Sequence, residues 1–260
     1  MKTTEPTPTP LDQLQQRAHR LRLYGLLHLW HEVDPAIRER LCEAQEEQLR
    51  LRSLPQRTAY ARIGNFKSMA VFDWQWPTYI DRRQVERAMT LDFVAEHANL
   101  VLVGPNGVGK SLIAQNVAHQ ALLHGLTVRF VKASDMLADL AAQTTTLDRK
   151  RRLRAYIAPA LLVIDEVGYT EYDNRATDLL FTVFDARNQH RSTVLTTNLT
   201  FEQWPSVFPN AACVVTLVDR LNHYIDTITI EGESFRLKES KERVARIAAA
   251  AAAAASPKRR

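Results

Sequence analysis

A glycine-rich segment at residues 104–111, GPNGVGKS, carries the strongest chemical signal in the sequence. It matches the spacing G-x-x-x-x-G-K-[ST] and lies between an apolar run typical of a strand and a helical pattern. Glycines let such a loop wind around phosphate oxygens, the lysine neutralises the outer phosphates, and the following hydroxyl is a ligand for Mg²⁺. We therefore predict that this loop binds a nucleotide, with contacts from Gly104, Pro105, Asn106, Gly107, Val108, Gly109, Lys110, Ser111 and Leu112.

Polar residues also follow two later apolar runs. Asp165 and Glu166 close the run LLVI, and Asn198 closes the run STVLTT. Ligands of parallel sheets collect at the carboxyl ends of strands, so we expect these side chains near the glycine-rich loop. Asp165 can then hold Mg²⁺, Glu166 can polarise an attacking water, and Asn198 can orient that water. Arg220, in the segment DRL, can stabilise transition-state charge on phosphate, in its own chain or in a neighbouring subunit.

The elements around these residues alternate between strand and helix patterns. Strands are predicted at 99–104, 127–133, 161–167, 192–198 and 226–232, and helices at 111–123, 134–143, 147–156, 176–188 and 211–223. This alternation predicts an α/β fold with a parallel sheet covered by helices. Continuous apolar strands such as LLVI indicate that the sheet is buried on both faces.

The remaining segments differ from this pattern in composition and periodicity. Residues 1–10 are rich in Pro and Thr and predict disorder, and residues 11–70 predict a basic helical domain with helices at 11–30 and 36–51. We expect residues 55–80 to be a connector that packs its aromatic residues on the next domain, and residues 82–97 to be a helix. The second domain then covers 71–240, and 241–260 is an alanine-rich helix with a basic end.

Composition narrows the functional classes. The net charge of +5 favours polyanionic partners. No apolar run is long enough to cross a bilayer, and the first residues lack the apolar core of a secretory signal. The two cysteines, Cys42 and Cys213, have no metal-binding spacing and predict idle thiols. We therefore expect a cytoplasmic protein without a membrane partner.

The order of these motifs resembles that of AAA+ ATPases, and most closely that of IstB-like transposition helper proteins, which are relatives of the DnaC helicase loaders. The resemblance covers about residues 70–240. It implies an AAA+ P-loop core with a parallel β-sheet sandwiched by helices, preceded by a small all-helical N-terminal domain. The matching segments are IDEVGY at 164–169, TTNL at 196–199, FEQW at 201–204, LVDRL at 217–221 and IEGESFRLKE at 230–239.

The resemblance also assigns roles to residues. Lys110 and Ser111 become contacts to ATP and Mg²⁺, Asp165 and Glu166 the metal and catalytic acids, and Asn198 the first sensor. Arg220 becomes the arginine that reaches into the nucleotide site of the next subunit. The segment 144–156 matches an extra helix of initiator-type AAA+ proteins that faces nucleic acid. We expect DNA contacts there and just past the acidic strand, from Arg149, Lys150, Arg151, Arg152, Arg154 and Tyr169.

The resemblance therefore implies an ATP-dependent DNA-binding helper of transposition. It would oligomerise on duplex target DNA, recruit and activate an IstA-like transposase, and use ATP hydrolysis for timing or disassembly. The main alternative is a DnaC-like replicative helicase loader that binds single-stranded DNA. The N-terminal region offers few aromatic residues beyond Tyr24 and Trp30, which disfavours this alternative, because single-strand binders stack bases on aromatics. A protein-only nucleotide switch is disfavoured by Glu166, and a small-molecule kinase by the lack of a substrate lid.

Overall fold

The computed structural model describes residues 10–209 and 225–255. Its chain divides into two compact units between Gln56 and Arg57, which places the division before the expected boundary at residue 70. The predicted helix 211–223, Cys213 and Arg220 lie outside the described residues. Within the described part of the chain, no helix is both long and apolar enough to cross a membrane.

The first unit is helical. It contains α1 (Pro10–Arg20), α2 (Tyr24–His28) and most of α3 (Pro35–Ala61). The expected helix 11–30 is thus broken, and Arg22 at the break has a left-handed φ of 58°. Ala18, Trp30 and Cys42 are buried together in a small core.

Helix α3 corrects the predicted connector at residues 55–80. Pro55 lies inside this helix, which continues to Ala61. The helix survives the missing N–H of proline because the residues that follow are well anchored. Arg57 donates hydrogen bonds to Gly125 O at 2.9 Å and Leu122 O at 3.1 Å, and Ala61 is fully buried. The connector therefore starts after Ala61.

The second unit is built on a six-stranded sheet in the order β1-β6-β2-β5-β4-β3. All neighbouring strands are parallel except β1 and β6, which are antiparallel. The five predicted strands are confirmed to within one residue at each end, and among the strands of the described residues β1 was not predicted. The strands are β1 (Tyr79–Ile80), β2 (Asn99–Val103), β3 (Val128–Lys132), β4 (Leu161–Val167), β5 (Ser192–Thr197) and β6 (Ile225–Glu231).

Helices cover the sheet and bury the central strands on both faces, as the apolar runs predicted. All residues of β2 and β5 are buried. The predicted helix 82–97 is two helices, because Leu91 between them takes a left-handed φ of 67°. Two short 3₁₀ turns lie at Met69–Val71 and Phe201–Ser206. The other helices are α4 (Arg82–Thr90), α5 (Asp92–Ala95), α6 (Lys110–Leu123), α7 (Ala133–Ala141), α8 (Thr146–Ile157), α9 (Asn174–Arg187) and α10 (Phe235–Ala255).

A buried arginine ties α8 to the sheet. Arg187 at the end of α9 is 1% exposed and donates hydrogen bonds to the carbonyls of Tyr156, Ile157 and Pro159, each at 2.9 Å. It also donates to the carbonyl of Ser192 at the start of β5. These bonds satisfy carbonyl groups that the end of α8 leaves without helical partners.

Candidate nucleotide-binding site

The glycine-rich loop connects β2 to the first turn of α6. Gly107 and Gly109 have left-handed φ values of 83° and 106°, which only glycine adopts without strain. Both are also tightly packed: a Cβ at Gly107 would lie 2.1 Å from Ser234 Oγ, and one at Gly109 would lie 2.5 Å from Phe72 Cε2. The loop thus needs glycine at these positions for its conformation and for close packing. It ends at the N-terminus of a 14-residue helix, where backbone N–H groups favour an anion.

Lys110 lies against the loop at its first helical position. Its Nζ donates hydrogen bonds to Gly104 O at 2.6 Å and Pro105 O at 2.7 Å, and the residue is only 4% exposed. Burial lowers the pKa of Lys110 to about 8, although the charge of Asp165 opposes this shift. A buried ammonium group beside a helix N-terminus provides a concentrated positive charge for phosphate.

Three oxygen-bearing side chains meet beside this lysine. Asp165 Oδ1 accepts hydrogen bonds from Ser111 Oγ at 2.9 Å and from Thr196 Oγ1 at 2.5 Å. Asp165 is 5% exposed and Thr196 is fully buried. Oxygen donors of this kind fit Mg²⁺, which prefers one or two carboxylates together with substrate phosphates. Thr196 was not predicted as a site residue, although its place at the carboxyl end of β5, in the segment TTN, was a signal for it.

Glu166 adopts a left-handed φ of 62°, and its N–H donates to Thr196 Oγ1 at 2.9 Å. Its carboxylate forms an ion pair with Lys132, with Nζ and Oε2 at 2.8 Å. The hydrogen bond that Lys132 donates to Glu166 raises the pKa of Lys132. Sequence reasoning missed Lys132, although it ends β3, which lies beside β4 in parallel register, with Lys132 opposite Asp165. This pair holds the Glu166 carboxylate towards β3.

The two remaining residues predicted to be catalytic are Asn198 and Arg220. Asn198 directly follows β5, and its Oδ1 is buried with no hydrogen-bond partner among the described residues. A buried acceptor of this kind costs free energy unless a ligand or a water satisfies it. Arg220 lies in the stretch 210–224, outside the described residues.

A cavity of about 650 Å³ opens beside the loop. One side is formed by residues 107–112, and the other by the connector and by the start of α10, with Phe72, Trp76 and Phe235 as apolar walls. Trp76 Nε1 donates to Glu233 O at 2.8 Å, which joins the connector to the segment just before α10. The aromatic residues of the connector thus pack in the second unit, as the sequence predicted. Arg236 and Tyr169 also line this cavity.

A model of the family described as IstB-like ATP binding protein matches residues 36–243 of the chain. The chain belongs to this family. It is 33% identical over 178 residues to an ATP-binding protein of insertion sequence IS232 from Bacillus thuringiensis subsp. berliner, with 68% of this chain and 71% of the relative covered. It is 32% identical over 210 residues to the corresponding protein of IS21 from Pseudomonas aeruginosa, with 79% and 78% covered.

Solved structures support the fold of this IstB-like chain. A DnaI crystal structure has a TM-score of 0.53 at 18% identity, covering 65% of this chain and 93% of that one. The replication initiator DnaA bound to AMPPCP and single-stranded DNA has a TM-score of 0.50 at 18% identity, covering 68% and 56%. The predicted AAA+ core is confirmed, and membership of the ATP-binding family makes this chain an ATPase.

The basic helix of the IstB-like chain is α8. The structure separates its five cations into two groups. Arg149, Lys150, Arg151 and Arg154 are exposed, and Arg151 lies 3.9 Å from Asp148 of the same helix. Arg152 instead forms an ion pair with Asp139 of α7, which also accepts a hydrogen bond from Tyr156.

The two groups differ in what they can contact. Four side chains present positive charge to solvent, whereas Arg152 holds α8 against α7. Tyr169 lines the cavity, and its ring lies over the Lys110 ammonium group.

Proposed function

We propose that this ATPase is a transposition helper that binds ATP and Mg²⁺ at the loop of residues 104–111 and oligomerises on duplex DNA. It recruits and activates a transposase, and ATP hydrolysis times or reverses the assembly. The meeting of Lys110, Ser111 and Asp165 at the carboxyl edge of the sheet carries this proposal, because it joins a buried cation to oxygen ligands. The family match to insertion-sequence proteins supports the role in transposition.

ATP binding uses the loop, the helix and the cavity together. The backbone of residues 104–109 and the N-terminus of α6 receive the phosphates, and the Lys110 ammonium group, which donates to Gly104 O and Pro105 O, provides the positive charge for the outer phosphates. The apolar walls of the cavity leave room beside the loop for the rest of the nucleotide. Ligand sites commonly combine apolar walls with a few polar groups in this way.

Ser111 and Asp165 are the residues that would hold Mg²⁺, with Thr196 orienting Asp165 through its hydroxyl. When bound, the ion neutralises charge that develops on the transferred phosphate. Glu166 accepts a proton from the attacking water, and Asn198 positions that water with its unpartnered Oδ1. The ion pair with Lys132 restrains the Glu166 carboxylate before this step. Arg220 completes the site of a neighbouring subunit, which makes hydrolysis depend on assembly.

Helix α8 carries the proposed DNA-binding surface. Its exposed cations, Arg149, Lys150, Arg151 and Arg154, suit the phosphate backbone of a duplex. Such contacts fix position on DNA without reading its sequence. Because Arg152 is bound to Asp139, we expect it to stabilise the helix rather than to contact phosphate.

Light scattering with a matched set of ligands tests this function. The protein is sized with duplex or single-stranded DNA, each with a non-hydrolysable ATP analogue or with ADP. The proposal predicts large assemblies only with the analogue and duplex DNA. Assembly on single strands, or none without a second protein, would contradict it and favour a helicase loader.

A variant of the same experiment tests the DNA surface. Replacing Lys150 and Arg154 by alanine should weaken duplex binding and reduce its salt dependence, because each lost phosphate contact releases one counterion fewer. The matched control replaces Arg82 and Arg83, two exposed cations on α4. Equal losses from both variants would remove α8 from its proposed role.

A further inference from the structure

The turn after β4 brings Tyr169 back over the nucleotide site. Gly168 starts this turn with a left-handed φ of 81°, and a Cβ there would lie 3.1 Å from Leu199 Cδ1. The Gly168 N–H donates to Tyr172 Oη at 3.1 Å, and the Tyr172 ring stacks on Phe208 with centroids 4.8 Å apart. These two contacts hold the turn in place, and the turn fixes the position of Tyr169.

The ring of Tyr169 lies over Lys110. The distance from Lys110 Nζ to the ring centroid is 5.8 Å, within the range of a cation–π interaction. Tyr169 is 36% exposed and lines the cavity together with Lys110, Ser111 and Arg236. One face of the ring thus covers the ammonium group, while its outer side remains in contact with solvent.

Charged groups of both signs surround Tyr169. Burial raises the pKa of Tyr169, the negative charges of Glu166 and Asp165 act in the same direction, and the positive charge of Arg236 opposes them. The aromatic walls formed by Phe72 and Trp76 belong to the connector, a different segment of the chain. Tyr169 therefore lies near Glu166, Asp165 and Lys110, the residues that are proposed to act on the outer phosphates.

We propose that Tyr169 is a positioning residue of the ATP site, whose ring covers the Lys110 ammonium where the terminal phosphate binds and so favours ATP over ADP. The attraction between an ammonium group and a phosphate weakens as water enters, because the effective dielectric constant rises. A ring over Lys110 keeps water from one side of this ion pair. This role rests on the proposed function of Lys110 and differs from the DNA contact expected for Tyr169.

Calorimetric titration with a non-hydrolysable ATP analogue and with ADP, both with Mg²⁺, tests the proposal. Tyr169→Ala should weaken the affinity for the analogue about fivefold, equivalent to about 1 kcal/mol, and the affinity for ADP less than twofold. Tyr169→Phe should stay within twofold of the wild type for both ligands, because the ring is kept. Tyr169→Leu should lie between the alanine variant and the wild type, since its apolar side chain keeps some water from the ion pair but offers no π face to Lys110.

Two controls separate this role from other causes. Tyr79→Ala removes an exposed tyrosine that does not line the cavity, and it should change neither affinity. Lys110→Ala tests whether Lys110 contacts the phosphates, on which the role of Tyr169 depends. Unchanged affinity for the analogue in that variant would overturn the proposed function itself. If Lys110→Ala loses affinity but Tyr169→Ala does not, only the role of Tyr169 fails.

Two further results would also overturn the role of Tyr169. One is an equal loss for both nucleotides that Tyr169→Phe does not restore, which indicates general damage to the fold. The other is weaker duplex binding without nucleotide at unchanged affinity for the analogue, which places Tyr169 on the DNA surface.

Discussion

The substitution Gly107→Ala tests the packing of the phosphate-binding loop against the start of α10. The new Cβ would lie 2.1 Å from Ser234 Oγ and 2.8 Å from Ser234 Cβ, so atoms must move. Position 107 also has a φ of 83°, which costs an alanine about 1–2 kcal/mol. Overpacking adds about 1–3 kcal/mol. We therefore expect the free energy of unfolding to fall by about 2–5 kcal/mol.

A double variant separates these two costs. Ser234→Gly removes the two atoms nearest the new Cβ and leaves Ser234 Cα at 3.1 Å. Ser234 precedes the first residue of α10, where glycine replaces a capping serine at a cost of only a few tenths of a kcal/mol. The pair Gly107→Ala and Ser234→Gly should therefore recover the overpacking cost of about 1–3 kcal/mol and keep the backbone cost.

Denaturant unfolding monitored by circular dichroism measures all four members of this cycle. Gly25→Ala is the matched control, because nothing lies within 4 Å of its added Cβ, and it should be neutral or slightly stabilising. Additive effects of the two changes, within about 0.5 kcal/mol, would refute a direct contact between the loop and Ser234. ATP affinity should follow the same order, since Phe235 N also donates to Gly107 O at 3.0 Å.

Two other substitutions test interactions that only the structure reveals. Arg187→Leu should lower the free energy of unfolding by at least about 3 kcal/mol in a denaturant titration, because it leaves several buried carbonyls unsatisfied; a neutral effect would contradict the described bonding. Lys132→Met should raise basal ATP turnover by up to about fivefold at unchanged KM, since a partly exposed ion pair that restrains Glu166 is worth at most about 1 kcal/mol. A fall in turnover would show that Lys132 assists hydrolysis.

The parts of the site that are local in sequence could be predicted. The loop of residues 104–111 and the pair Asp165–Glu166 each combine a short motif with an apolar strand, so their placement follows from the parallel sheet. Asn198 could be placed at the same edge for the same reason. The five main strands were equally accessible, because β2 and β4 contain continuous apolar runs, β6 alternates apolar with polar residues, and helical patterns separate the strands.

Contacts between distant segments could not be predicted in this way. Phe72 and Ser234 approach glycines of the loop from segments far away in the chain, and neither lies in a motif that indicates this contact. The second helix was predicted to end at residue 51 and a connector to start at residue 55, but α3 continues through Pro55 to Ala61, where Arg57 anchors it. The ion pair of Arg152 could not be predicted, because a run of cations does not indicate which of them faces Asp139.

The most direct test of the central claim compares Glu166→Gln with the wild type in steady-state ATP hydrolysis and in ATP affinity. The two side chains are nearly equal in size, and only the carboxylate can accept a proton. We predict that turnover falls by about 10²-fold or more, as expected for loss of a general base, while ATP affinity stays within about twofold. Turnover at the wild-type rate in this variant would contradict the site as described.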